Sequence, residues 1–532
     1  MEFYQEIKNL FSKYNSENLE DKNSTSPKIH VDEVASKVAS FYEQIRTVVE
    51  WKEEHLMLRA AIIRKLKRKF FDLELNNFSN QSEASESLVL ELIRGGHFPN
   101  DKIPESKILD IQKIIDRYIF ILKNSSDKNN IDFSNWLLEI ASCEIEDTLH
   151  PATKENALTD FMFSVIKKRI KVSDKIFKSG LLKKEDVNTQ IYIAVQQSLF
   201  KFDKPMICYN LMNYKYPDWR NNDKISLEKI SQNIVEIWQN IEKDLSNIFA
   251  GKFYTICEKY DTPFLLLGDV LAEENASSKI LNPEIFESTI KSAYLKRLSS
   301  LKKRIQRAAI YSTISIFVTK ILSMVVLMFL LSKIFPSENQ NAAMLIADVL
   351  IPTALMFLIV SSIKKPPREN LNIVVMETMK IVYEKENFDS YEIKIKKKKG
   401  FITKVFLSLI YSFSSLASFG AIYFGFHYFG FPISSIIINM IFIALILFTG
   451  TAISKRAQEL TIGDEKEDFI TFLADIFFLP LQGLGKWLSL KWKKYNAIAV
   501  IFNAIIDMPL SVFIEFLEKW RYFIKESKEE IR

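Results

Sequence analysis

The feature that most constrains this chain is a set of four long apolar runs. They span about 309–335, 342–363, 401–426 and 433–453. A helix that crosses a bilayer needs about 20 predominantly apolar residues, and each run is long enough. They pair into two hairpins, with turns at PSENQN (336–341) and around His427–Pro432.

The charges beside these runs set an orientation. Lys302, Lys303, Arg304 and Arg307 precede the first run, and Lys364, Lys365 and Arg368 follow the second. Lys394 and Lys396, Lys397, Lys398 and Lys399 precede the third, and Lys455 and Arg456 follow the fourth. Neither hairpin turn contains Lys or Arg. Basic residues in short loops stay on the cytoplasmic side, so the expected topology has both termini cytoplasmic. The N-terminus lacks the basic region and apolar core of a cleavable signal. Abundant Lys, Asn, Ile and Phe fit an AT-rich bacterial genome, so the expected location is a bacterial plasma membrane.

The mean hydropathy of +0.01 and net charge of +6 are averages over two unlike parts. Residues 301–532 carry the basic excess, and residues 1–300 are slightly acidic. A nucleic-acid-binding domain usually presents a net basic face, so no nucleic-acid partner is expected. Only 13 Gly occur in 532 residues, five of them before residue 301. That excludes Gly-built phosphate loops: GxxxxGK[ST] and GxSxG are both absent.

Residues 1–300 read as helix nearly throughout. Val31, Val34, Val38, Phe41, Ile45 and Val48 form a helix seam, extending less regularly to Leu75. One helix is expected over 227–259, with an N-cap in 221–226. Another starts near Pro283 and runs unbroken into the first apolar run, since no Gly or Pro lies between Pro283 and Pro336. Between the hairpins, 371–385 reads as helix and YEIKIK as a short strand.

The expected fold class is all-α. It comprises a cytosolic helical domain (1–300), a transmembrane hairpin (301–366), a cytosolic connector (367–399), a second hairpin (400–455) and interfacial or re-entrant helices (456–532). In the last part, only about 11 apolar residues precede Pro480, too few to cross. Residues 496–518 place their polar side chains on one helix face, the pattern of an amphipathic surface helix.

No residue set forms a catalytic, cofactor or metal motif. Cys143, Cys208 and Cys257 are far apart and read as buried, reduced thiols. The five histidines are scattered, without HExxH. The basic cluster Arg59, Arg64, Lys65, Lys67, Arg68 and Lys69 reads as a solvated face offset by Glu50, Glu53 and Glu54.

Intramembrane polar residues are costly and carry more information. Lys320 lies in the first run and Asp348 in the second, on adjacent antiparallel helices. Whether they meet depends on where the first span ends. Pro352 frees the carbonyl of Asp348. A structural pair is the preferred reading, and a cation site the alternative. In the third run Ser408/Ser412 and Ser414/Ser418 have the small-xxx-small spacing of a helix-packing face.

The expected function is a membrane-anchored scaffold or docking platform. Its partners are the bilayer and a protein partner or a second copy. The alternative is an oligomeric channel or transporter that moves an ion or small molecule through the Lys320/Asp348/Pro352 region.

Overall fold

The computed structural model describes most of residues 82–494 and, outside that range, parts of 7–14, 27–38, 58–67 and 513–527. Within 82–494 the exceptions are Asn222, Lys365 and the intervals 332–341, 384–389, 395–399 and 463–468. It is predominantly helical and divides into two compact units. Most of the expected helix over residues 31–75 lies outside the described residues, although 58–67 is helical.

The first unit takes residues 1–261, 387–394 and 497–532. Its helices include α1 (Ser82–Arg94), α2 (Ser106–Asn124), α3 (Ile131–Leu149) and α4 (Thr153–Arg169). After strand β1 (Ile170–Val172) come α5 (Asp174–Lys178), α6 (Lys184–Leu199), α7 (Lys204–Lys215), α8 (Lys224–Leu245) and α9 (Ala250–Glu258). One core joins α2, α3, α7 and α8 through Ile115, Trp136, Ile140, Leu211 and Ile237. The expected N-cap is Asp223, whose carboxylate accepts from Ser226 N–H at 2.9 Å. The single helix expected over 227–259 is two. Asn247 Oδ1 accepts from Phe249 N–H at 2.9 Å, an Asx-turn that ends one helix before the next begins.

Two other features depart from expectation. Arg59 is 3% exposed, not on a solvated face. Its Nε donates to Glu146 at 2.9 Å and its Nη1 to Asp203. The acids Glu50, Glu53 and Glu54, expected to offset it, lie outside the described residues. The strand expected within YEIKIK is present as β2 (Tyr391–Ile393), but it has an unexpected partner: it pairs in parallel with β1, Ile170 opposite Tyr391 and Val172 opposite Ile393.

The second unit takes residues 262–386 and 395–496. It contains most of α10 (Asp261–Leu271), then α11 (Ala276–Leu281), α12 (Pro283–Leu331), α13 (Ala342–Ser361) and α14 (Glu369–Tyr383). Then come α15 (Phe401–Tyr428), α16 (Ile433–Ala457) and α17 (Phe469–Lys494). Helix α12 runs 49 residues without a break, about 74 Å at 1.5 Å per residue.

Three helices among the described residues are long and apolar enough to cross a membrane, where four were expected: Ala343–Ser361 in α13, α15 and α16. The missing one, 309–335, begins within α12. Residues 332–341 and the side chains from 324 onward in that run lie outside the described residues. The stretch before Pro480 belongs to a continuous 26-residue helix, α17, with Pro480 in its interior. It packs on α15 and α16. Most of 496–518 lies outside the described residues.

At one end of this unit Asn370 of α14 joins three segments. Its Nδ2 donates to Tyr294 Oη of α12 at 2.9 Å and to the Leu460 carbonyl at 2.6 Å. Its Oδ1 accepts from Ile462 N–H at 2.8 Å. The side chain is 1% exposed, so each of these bonds replaces one that water would otherwise make.

Candidate functional site

The apolar helices of the second unit enclose one polar cluster. Lys320 comes from α12, Asp348 from α13, and Ser435 and Asn439 from α16. All four are buried, Lys320 and Asn439 at 0% exposure. Lys320 Nζ lies 3.1 Å from Asp348 Oδ2 and 5.0 Å from the centre of the Phe442 ring. The Ser435 hydroxyl and the Asn439 amide both donate to Asp348 Oδ1. Ser435, Asn439 and Phe442 recur every three or four residues, so α16 offers them from one face.

The carboxylate is better satisfied than the ammonium. It meets a cation, a hydroxyl and an amide. It also lies beside the first turn of α16, whose N-cap is Pro432 and whose dipole favours an anion. Asn439 Oδ1 is buried without a hydrogen-bond partner among the described residues. Taking two charges out of water is costly, and their attraction offsets this only when the remaining polar atoms are also bonded.

The depth of the cluster follows from the sequence. Lys320 stands 16 residues after Arg304, Asp348 16 before Lys364, and Asn439 16 before Lys455. Lys320 and Asn439 are therefore about 24 Å of helix from a basic residue at the charged end, and Asp348 about 20 Å of helix from Ser361, the end of α13 just before Lys364. Those ends converge: Ile305, Val360, Ile363 and Ile453 share one apolar cluster, and Arg304 lies 3.6 Å from Glu459. The opposite ends also meet, with Met344, Phe426, Phe431 and Ile436 in a second cluster.

Of the other residues singled out in the sequence, Lys302, Lys303, Arg304, Arg307, Lys364, Arg368, Lys455 and Arg456 are exposed. Lys365 and Lys396 to Lys399 lie outside the described residues. Pro352 is buried within α13. Beside it, the Thr353 hydroxyl donates to the Val349 carbonyl at 2.9 Å.

The four serines of α15 with small-xxx-small spacing divide into two pairs. Ser408 and Ser412 are exposed, and Ser414 and Ser418 are buried. The Ser414 hydroxyl donates to the Ile476 carbonyl, and the Ser418 hydroxyl to that of Phe477. Pro480 has no N–H, so it leaves the carbonyl four residues back, that of Ile476, without its helical donor. Ser414 supplies that donor from the neighbouring helix.

Gly485 sets how closely α17 approaches α16. A Cβ at that position would lie 2.1 Å from the Ala444 carbonyl oxygen. Only a residue without a side chain fits.

In the first unit Cys143, Cys208 and Cys257 are free and buried. Burial pushes the Cys208 thiol up to about 12 and the other two well above the usual range. Glu144 of α3 accepts from Tyr118 Oη at 2.9 Å and from Arg117. No group of three or more His, Cys, Asp or Glu side chains that could hold a metal ion occurs among the described residues.

Sequence reasoning found Lys320 and Asp348 but missed Ser435 and Asn439. Their spacing of four on the helix after the second turn was the available signal. The chain matches no family model, no curated protein and no solved structure.

Proposed function

We propose that the chain is a polytopic membrane protein that serves as a scaffold or docking platform. The apolar run of about 309–335, which begins within α12, acts as a fourth span beside α13, α15 and α16. The basic ends and both termini are cytoplasmic. The observation that carries this reading is the continuity of α12. Its first half packs Phe286, Ile290, Tyr294 and Leu301 inside the unit, and its second half bears Lys320 in the apolar bundle. One rigid helix therefore links a polar-surfaced helical base to the membrane helices. The base is tied to it by Asn370 and by Arg297, whose Nη2 donates to Asp269 at 2.8 Å. On this reading Lys320 and Asp348 fix the register of α12, α13 and α16.

The test is chemical crosslinking in native membranes followed by purification of the full chain. A scaffold recovers a defined second protein in a reproducible ratio. Recovery of this chain alone contradicts the reading.

A second reading has one observation in its favour. Asn439 Oδ1 lies buried beside a carboxylate and, among the described residues, lacks a donor. An ion or a small polar solute that uses this acceptor would make the cluster a transport site. Flux in proteoliposomes decides it: Lys320→Ala and Asp348→Ala change flux if the cluster conducts. Unchanged flux removes these residues from any transport mechanism.

A further inference from the structure

The C-terminal segment of the first unit leaves an aromatic stripe uncovered. Residues 513, 516, 517, 519–521, 523, 524, 526 and 527 are described as helical. Phe513, Phe516, Trp520 and Phe523 are 48%, 58%, 52% and 64% exposed. At 100° per residue these four fall within about 80° of one another. Phe516 and Trp520 stack with ring centres 6.3 Å apart. Leu517, Arg521 and Ile524 are less exposed, and Arg521 Nη1 lies 3.2 Å from the buried Asp32. One side of the helix is thus engaged by its own unit while four aromatic rings on another side face outward.

Scattered single apolar side chains on a surface are ordinary, but a contiguous patch marks an interaction site. Its chemistry is specific. Phe and Trp, without Leu or Val, are the residues that settle at the headgroup–acyl boundary of a bilayer. The chain also limits how far the stripe can be from a membrane. Phe513 follows Lys494, the last residue of α17, by 19 residues, which span at most about 65 Å. With α13, α15 and α16 in a bilayer, that surface is always within reach, and tethering raises its effective concentration. Charge contributes little, because residues 513–532 contain five acidic and five basic side chains.

We propose that Phe513, Phe516, Trp520 and Phe523 form a lipid-docking face that inserts into the interfacial layer of the bilayer. Insertion rests on aromatic burial and does not require anionic lipid. The inference depends on reading α13, α15 and α16 as spans, and the two can fail separately.

The test uses the full chain reconstituted in phosphatidylcholine vesicles. Phe516→Cys, Trp520→Cys, Phe523→Cys and the control Glu526→Cys are each labelled with a polarity-sensitive fluorophore. The three native thiols are buried and stay silent. The expected result is loss of fluorescence at 516, 520 and 523 when the lipid carries a nitroxide on the upper acyl chain. The control at 526 is instead quenched by aqueous iodide. Labels at 516, 520 and 523 quenched by iodide overturn the proposal. So do labels shielded from both quenchers, because protein then covers the stripe. Lipid quenching that appears only with added phosphatidylglycerol overturns it as well. A chain extracted from the vesicles by alkaline carbonate would refute the membrane reading itself.

Discussion

The Ser414 hydroxyl donates to the main-chain carbonyl of Ile476, four residues before Pro480. This bond explains how a proline sits inside α17 without ending it. The partner that Pro480 removes along α17 is supplied sideways by α15. Ser414→Ala should destabilise the protein by about 1–2 kcal/mol, the cost of leaving a buried acceptor unsatisfied. In a Pro480→Ala background the ladder of α17 is restored and the same change should cost less. Thermal unfolding of the two single variants and the double variant in detergent measures the coupling. Purely additive effects would show that Ser414 does not serve the proline.

Gly485 and Gly425 give a paired test of helix contact. A Cβ at 485 would lie 2.1 Å from the Ala444 carbonyl oxygen, whereas one at 425 meets nothing within 4 Å. Gly485→Ala should therefore cost at least about 1–3 kcal/mol, the usual range for overpacking. Gly425→Ala should be close to neutral. Comparing the melting temperatures of the two variants checks this, and equal effects would argue against tight docking of α17 on α16.

The Lys320–Asp348 pair predicts an asymmetry. Lys320→Met leaves a buried carboxylate without its cation and should cost about 3–5 kcal/mol. Lys320→Met with Asp348→Asn removes both charges and should recover most of that loss. A double variant no more stable than Lys320→Met would show that charge balance is not what holds the cluster.

Glu139 predicts a pH dependence. Burial pushes its carboxyl above the usual range, with Lys204 pulling it down and Asp203 pushing it up. The folded state thus holds this proton more tightly than the unfolded chain does. The stability from this group is present below the unfolded value and lost as pH rises through the folded one. Glu139→Gln should be more stable than the natural chain at neutral pH, by roughly 0.5 kcal/mol. The advantage should vanish toward pH 4. Melting curves across that range check the sign.

Much of the second unit was legible in the sequence because long apolar runs with basic residues at their ends have the length and charge pattern of helices able to cross a bilayer. Lys320 and Asp348 stood out as charges inside apolar runs, and the unbroken α12 followed from the absence of Gly and Pro. Ser435 and Asn439 did not stand out. One serine and one asparagine in an apolar helix are common, and only the rotation of α16 against α13 aims them at Asp348. The small residues of α15 were visible, but their partner was not. The run before Pro480 is too short to cross a bilayer and reads as re-entrant or interfacial, and nothing in the sequence says that Ser414 and Ser418 complete it. In the first unit the break at Asn247 escaped notice because neither Gly nor Pro marks it. Strand β1 follows α4 directly, and its pairing with β2 joins residues 221 apart.

We propose a multi-pass membrane protein whose basic helix ends share the cytoplasmic side. The most direct measurement is labelling of single cysteines by a membrane-impermeant maleimide in intact cells. Phe429 at the second hairpin turn is 70% exposed, and Arg456 marks the basic end of α16. Phe429→Cys is expected to be labelled from outside and Arg456→Cys only after permeabilisation. Labelling of Arg456→Cys in intact cells, with Phe429→Cys protected, would contradict it.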